Sequence, residues 1–345
     1  MDNNAVQSAS TLPPRHINRI PEEGDGGVYS QSWFVICMSS ELEPGQVLGR
    51  DFLGGRVVAY RDADGAPHVV SAYCPHMGAD LACGRVSGKE IVCAFHEWSF
   101  GVDGKCTRTG IGEPAPPHAR VFSFPVREKY GLVWAFNGET PLWDLPDFKP
   151  PYNDASKLLW GVDQRSPAYR CSPWVFCCNT LDFQHLIQVH KINVSLDNLP
   201  AVHNAVRWQQ YGYDYDLEAH HQGGVSLAWQ LGIRGTSFFW QQGMYDGFWF
   251  GFVTGFSLPR AGMHECYLSI AVLAGDGTPE GDSQARRNLK TAMELEIRTV
   301  EEDRQILNNI HFAPGHLLRA DRSAAKYFQF LRNYPRAHPA RDFIT

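Results

Sequence analysis

Two short segments constrain this chain more than anything else in it. They are Cys74-Pro75-His76 and, after sixteen intervening residues, Cys93-Ala94-Phe95-His96. Each supplies one thiol and one imidazole on a turn-like stretch between β-like runs. Two such loops facing each other can hold a [2Fe–2S] cluster, with both cysteines on one iron and both histidines on the other. Neutral imidazoles in place of two thiolates leave the cluster less negative and raise its potential, which suits a one-electron relay. A structural zinc site is the alternative, but it usually pairs Cys with Cys and His with His, whereas each loop here mixes the two. Chance burial of all four is the third reading. Cys37, Cys83, Cys106, Cys171, Cys177, Cys178 and Cys266 read as small core residues.

The rest of the chain frames that pair of loops. A length of 345 residues suggests two domains. Hydrophobic residues make up 43% and charged residues 20%, which excludes a disordered chain, a fibre and a disulfide mini-protein. A net charge of −6 gives no general reason to bind nucleic acid. No apolar run approaches the roughly 18 residues that span a bilayer, so no membrane segment is expected. The polar stretch Met1–Glu23 has no signal-peptide pattern. With nine cysteines, an odd number, this points to a reducing cytoplasm.

Residues 1–28 read as an arm, with loop chemistry at Pro13-Pro14 and Glu22–Gly27. From Tyr29 the pattern becomes short strands, such as Trp33–Cys37, Arg56–Tyr60 and Leu132–Phe136, separated by glycine turns, so residues 29–140 read as a small all-β domain. Four prolines between Pro141 and Pro151 mark a boundary. Residues 141–345 read as an α+β domain. It opens with a helical stretch, Ser172–His190, and continues with aromatic-rich strands from Asn204 to Leu273. The long helix Ser283–Asn309 then covers the antiparallel sheet.

A second constellation lies in that domain: Asn179, Asp182, His185 and His190. The two histidines are five apart, about 140° of rotation on a helix, so they share a metal only if the helix ends or bulges between them. Asp182 and His185 do share a face, which suits an aspartate accepting the second N–H of a metal-bound imidazole. A third ligand is expected on the long helix, where Met293, Ile297, Val300, Leu307 and Ile310 mark the buried face. Asp303 falls on that stripe; Glu301 and Glu302 fall on more polar ones. A buried carboxylate is expensive unless paired or metal-bound, so Asp303 is the candidate, against the alternative of a solvated charge in an acidic run. Two histidines and one carboxylate form the open Fe(II) triad of dioxygen chemistry.

Together these motifs resemble the oxygenase (alpha) component of Rieske non-haem iron oxygenases. The stretch Tyr73–Leu81, with Cys93–Trp98 and Gly104-Lys105-Cys106, is most similar to the 3-ketosteroid 9α-hydroxylase subgroup. The resemblance covers roughly residues 29–315. Ala94 stands where relatives usually carry proline and Glu97 where many carry glycine; neither is a ligand. The resemblance implies an all-β [2Fe–2S] domain followed by a helix-grip-like catalytic domain. It implies Cys74, His76, Cys93 and His96 on the cluster and His185, His190 and Asp303 on a mononuclear Fe(II). It also implies Asp182 as the electron bridge to a neighbouring subunit's cluster, His96 as the electron exit, and Asn179 as a supporting residue. A head-to-tail homotrimer follows, closing through one heterologous interface.

The activity expected is O2-dependent hydroxylation or oxidative dealkylation of an apolar aromatic or polycyclic substrate, steroid-like shapes included. No GxGxxG fingerprint is present, so NAD(P)H oxidation is assigned to a separate reductase or ferredoxin. Cis-dihydroxylation and arylamine N-oxygenation use the same residues and stay open. A non-catalytic electron-transfer subunit is the rival from another class. The aromatics from Trp229 to Phe256 divide between core packing and a substrate cavity. His203, His220, His221, His311 and His316 read as surface or loop residues with no role.

Overall fold

The computed structural model describes residues 19–221 and 226–345. Most of the N-terminal arm, residues 1–18, lies outside the described residues. From Arg19 onward the arm joins two units: Ser172 Oγ donates to Glu22 at 2.5 Å, while the buried Glu23 accepts from Ser30 N and Oγ.

The first unit is built from three small antiparallel sheets. One joins Trp33–Met38, Val126–Lys129 and Leu132–Phe136; another joins Val47–Phe52, Gly55–Arg61 and Pro67–Ser71. The third contains Arg85–Ser87, Glu90–Val92, Ser99–Phe100 and Cys106–Arg108. β-Branched and aromatic residues fill these strands, and their inward side chains form the core. The chain's last residues return to this unit. Arg336–Ala337 pairs with Tyr29–Ser30, and Ala340 and Ile344 are buried beside Phe34, Phe52 and Val57. The sequence does not signal that return, because the C-terminal stretch lacks a strong strand or helix period.

The second unit is an eight-stranded antiparallel sheet. Its order runs Leu158–Tyr169, Met263–Leu273, Phe248–Arg260, Phe238–Tyr245, Ser226–Arg234, Gly212–His221, Ile192–Asn193, with Arg207–Gln209 paired beside Gly212–His221. The aromatic-rich strand Phe248–Arg260 shows why so many rings are needed. Alternate residues point to opposite faces of a strand. Trp249 and Val253 join the core shared with Trp33 and Trp134 of the first unit. Phe250, Phe252 and Phe256 face the other way, into the core beneath the long helix. Both faces are covered, so the strand carries apolar residues on both of them.

That long helix spans Pro279–Leu307; Thr278 caps its N-terminus by accepting from Gly281 N, and Pro279 sits at the first helical position. Val300 and Leu307 are buried, Met293 and Ile297 are half-buried, and Ile310 lies beyond the helix end and is exposed. The buried face is therefore rotated toward Ala292, Leu295 and Glu296.

The stretch Ser172–His190 is not one helix. It breaks into Pro173–Cys178, a tight turn at Asn179–Leu181, and Phe183–Gln188. His203 is buried, not on the surface, with its Nδ1 2.7 Å from Ser323 Oγ.

Gly255 lies where the two units pack closely on one another. A Cβ there would lie 2.2 Å from Trp134 Cη2 and 2.6 Å from Val35 Cγ2. Both neighbours are fully buried and have no room to move. Gly255→Ala is therefore expected to destabilise the fold by about 1–3 kcal/mol, lowering the thermal midpoint by a few degrees. An unchanged midpoint would show that the units do not pack on one another as described.

Candidate metal centres and substrate cavity

The two loops of the first unit are built alike. In one, Cys74 N donates to Ala79 O and Gly78 N to Cys74 O; in the other, Cys93 N donates to Trp98 O and Glu97 N to Cys93 O. The matching position in each has positive φ, +77° at Gly78 and +58° at Glu97. Glycine adopts that conformation freely and glutamate does so at a cost. Glu97 accepts two hydrogen bonds from Arg85, at 2.9 and 3.0 Å, which pin it across the loop.

The loops place four donors in two layers. Cys74 and Cys93 are buried, at 3% and 1% exposure, while His76 is exposed and His96 half-buried. The imidazole centroids are 4.6 Å apart, and His76 stacks on Trp98 at 4.4 Å with nearly parallel planes. Burial pushes the Cys74 thiol up to about 11, so a thiolate there needs a cation beside it. Thiols point inward and imidazoles outward, as a cluster with one solvent-facing edge requires.

The second constellation closes around a point. Asp182 caps the helix Phe183–Gln188, accepting from His185 N at 2.9 Å. It thus bonds the backbone of His185, not the imidazole N–H expected from their spacing. The helix stops at Gln188, and Lys191 takes a positive φ of 57°. This break removes the 140° mismatch and swings His190 back beside His185. Their Nε2 atoms are 2.8 Å apart. Asp303 Oδ1 lies 3.1 Å from His185 Nε2 and 3.4 Å from His190 Nε2. Asp303 is 3% exposed, on the buried face where its spacing placed it.

The surrounding hydrogen bonds aim these atoms. Asn179 Nδ2 donates to Asp303 Oδ2 at 2.9 Å. Oδ1 is left buried with no hydrogen bond of good geometry, turned toward the two imidazole nitrogens. His190 Nδ1 lies 2.8 Å from Glu302 Oε2, so its N–H donates there and Nε2 presents a lone pair. Burial alone would raise the Asp303 carboxyl, but the two imidazoles outweigh it and hold it at about 2. An orphaned carboxylate oxygen facing two imidazole Nε2 atoms is a donor set that fits a divalent metal ion. Glu302 was missed because its polar helix stripe looks solvated. Only the fold shows that His190 reaches it.

A cavity opens beside these three residues. Phe176, Leu217, Trp229, Phe239, Phe252 and Leu295 form its apolar wall, and His185, His190 and Asp303 lie at its margin. About 870 Å³ of space lies between the walls, the open mouth included. Of the aromatic run, Trp229, Phe239 and Phe252 line the cavity, whereas Phe238, Trp240 and Trp249 pack between the units.

A profile of the Rieske [2Fe–2S] domain matches residues 32–125. The first unit is a Rieske [2Fe–2S] domain. Cholesterol 7-desaturase nvd of Bombyx mori is 39% identical over 200 residues, covering 56% of this chain and 43% of that protein. The oxygenase component of a 3-ketosteroid-9-alpha-monooxygenase of Rhodococcus rhodochrous is 34% identical over 168 residues, covering 47% of this chain and 43% of that protein. The matches thus span less than half the length of these relatives.

Solved structures cover both units. Dicamba monooxygenase bound to dicamba superposes with a TM-score of 0.62 at 20% identity, covering 88% of this chain and 97% of that one. NdmA of Pseudomonas putida CBB5 with caffeine gives 0.65 at 18% identity, covering 87% and 89%. The Rieske domain and the curled sheet behind it together have the fold of Rieske oxygenases, a family that uses a mononuclear iron at its catalytic site. Among the described residues no helix is long and apolar enough to cross a membrane.

The Glu302 contact yields a test. Removing an outer hydrogen-bond partner of a metal-bound histidine typically costs 10–100-fold in metal affinity. Glu302→Ala is expected to weaken Fe(II) or Co(II) binding at the second site by about 10–100-fold, read by anaerobic titration, with the visible absorption of the cluster unchanged. Unchanged metal affinity would remove Glu302 from the site.

Proposed function

We propose that this chain is the oxygenase component of a multicomponent Rieske monooxygenase. It would hydroxylate or oxidatively dealkylate an apolar polycyclic substrate. The observation that carries this is the convergence of His185, His190 and Asp303 at the margin of an apolar cavity, in a chain that also carries a Rieske domain. In this reading Cys74, His76, Cys93 and His96 hold the cluster, and His185, His190 and Asp303 hold the iron. When bound, the cluster supplies single electrons and the ferrous ion activates dioxygen at its open positions.

The protein's own residues set where that chemistry happens. Asn179 fixes the carboxylate of Asp303 so that Oδ1 points at the imidazoles. Glu302 fixes the tautomer of His190. The apolar wall binds the substrate and keeps bulk water from the reacting carbon. Two observations favour a two-iron cluster over a single zinc in the first unit. Each loop mixes Cys with His, and among the described residues the only group of three or more donors converging within 4.8 Å is His185, His190 and Asp303, so the four loop donors are spread wider than one zinc ion holds. The sterol and ketosteroid names of the cited relatives support a polycyclic substrate.

The division at residues 28 and 140, a head-to-tail homotrimer and a separate NAD(P)H reductase or ferredoxin belong to the same proposal. In a ring, His96 at the cluster's outer edge would meet Asp182 of the next subunit. Asp182 caps its helix with one oxygen and has a second to offer.

Asp182→Asn tests the bridge cleanly. Asparagine caps a helix as well as aspartate does, so the fold is kept and only the charge is lost. The expected result is that cluster-to-iron electron transfer, followed by single-turnover stopped flow, slows by more than about tenfold while substrate binding is retained. Transfer at the wild-type rate would contradict the bridge.

A further inference from the structure

The cavity contains one polar feature that the iron site does not use. Glu296 and Gln241 both line it, at 4% and 5% exposure, among apolar side chains. Gln241 Nε2 donates to Glu296 Oε1 at 3.3 Å, the one hydrogen bond of the Glu296 side chain among the described residues. No lysine or arginine pairs with it there. Burying an unpaired carboxyl is costly, and an apolar side chain at this point of the helix would pack without that cost.

We propose that Glu296 and Gln241 form a specificity-determining pair that grips a carbonyl or hydroxyl oxygen on a neutral, otherwise apolar polycyclic substrate. The inference rests on the oxygenase reading and deepens it by naming the substrate class.

Helix geometry supports this placement. Glu296 and Asp303 are seven residues apart on one helix, which is close to two full turns. Their side chains therefore leave the same face about 10 Å apart. A substrate oxygen held at Glu296 places carbons two to three ring widths away beside the metal ligands. A small monocyclic aromatic is too short to reach both. Burial pushes the Glu296 carboxyl up to about 8, against the opposing influence of His190 and the hydrogen bond from Gln241. At neutral pH the pair thus offers an O–H and an amide, which suits a neutral oxygen. Arg298 is the one lining residue with a fixed positive charge, and it is exposed and makes no ion pair with Glu296.

Equilibrium dialysis of the intact holoprotein tests the pair with two probes, a steroid 3-ketone and the parent steroid hydrocarbon that lacks the oxygen. Wild type is expected to prefer the ketone. Glu296→Leu and Gln241→Leu are each expected to weaken ketone binding by about tenfold and to change hydrocarbon binding by less than about twofold. Glu296→Gln, which keeps a hydrogen-bonding group of the same shape, is expected to retain most of the preference. The double Leu variant should lose little more than either single one, because the two residues act as one contact. Equal weakening of both probes, an unaffected ketone, or no binding of either probe to wild type would overturn the proposal. Dialysis needs neither reductant nor turnover. A protein that selects the ketone but fails to oxidise substrate counts against the oxygenase reading alone. An active oxygenase that fails to select counts against the pair alone.

Discussion

A carboxylate buried to 3% exposure, facing two imidazole nitrogens within 3.4 Å, is the interaction on which the catalytic unit depends. In a low-dielectric interior such a charge is tolerated only with a cation close by. Everything around Asp303 serves that placement. The helix Pro279–Leu307 carries it inward, the break after Gln188 brings His190 back, and Asn179 holds the oxygen that does not face the imidazoles. Irregular backbone sits where the chemistry needs it, and regular backbone fixes what it approaches.

The two units divide their labour along the faces of one sheet. One face packs through Trp249 and Val253 on the Rieske domain; the other turns Phe250 and Phe252 toward the long helix and cavity. The same strand thus packs on the Rieske domain and walls the cavity. The chain termini reinforce the joint, with Arg336–Ala337 paired to Tyr29–Ser30. Within the Rieske domain the thiols are inward and the imidazoles outward, so the two histidines form the solvent-facing edge of the loops.

Much of this architecture is legible in the sequence. Mixed Cys/His loops are rare enough to name a cluster, and the period of the long helix was strong enough to pick Asp303 over its acidic neighbours. What was hidden depended on tertiary contact. Glu302 looks solvated until His190 is seen to reach it. Glu296 looks like an ordinary helix charge, and only the rotated buried face shows that it is enclosed. Spacing alone sets Asp182 against the imidazole of His185. The cap to the backbone N–H wins because that donor is left unsatisfied at a helix start. Ser172–His190 reads as one helix by composition, yet the turn at Asn179–Leu181 breaks it.

The most direct measurement is the metal and sulfide content of protein purified without exogenous metal and reconstituted anaerobically with Fe(II). A [2Fe–2S] cluster and a mononuclear iron together require about three irons and about two acid-labile sulfides per chain. Asp303→Ala should keep the sulfides and lose one iron. A colourless protein, zinc in place of the cluster iron, or the same iron count in wild type and Asp303→Ala would contradict the account.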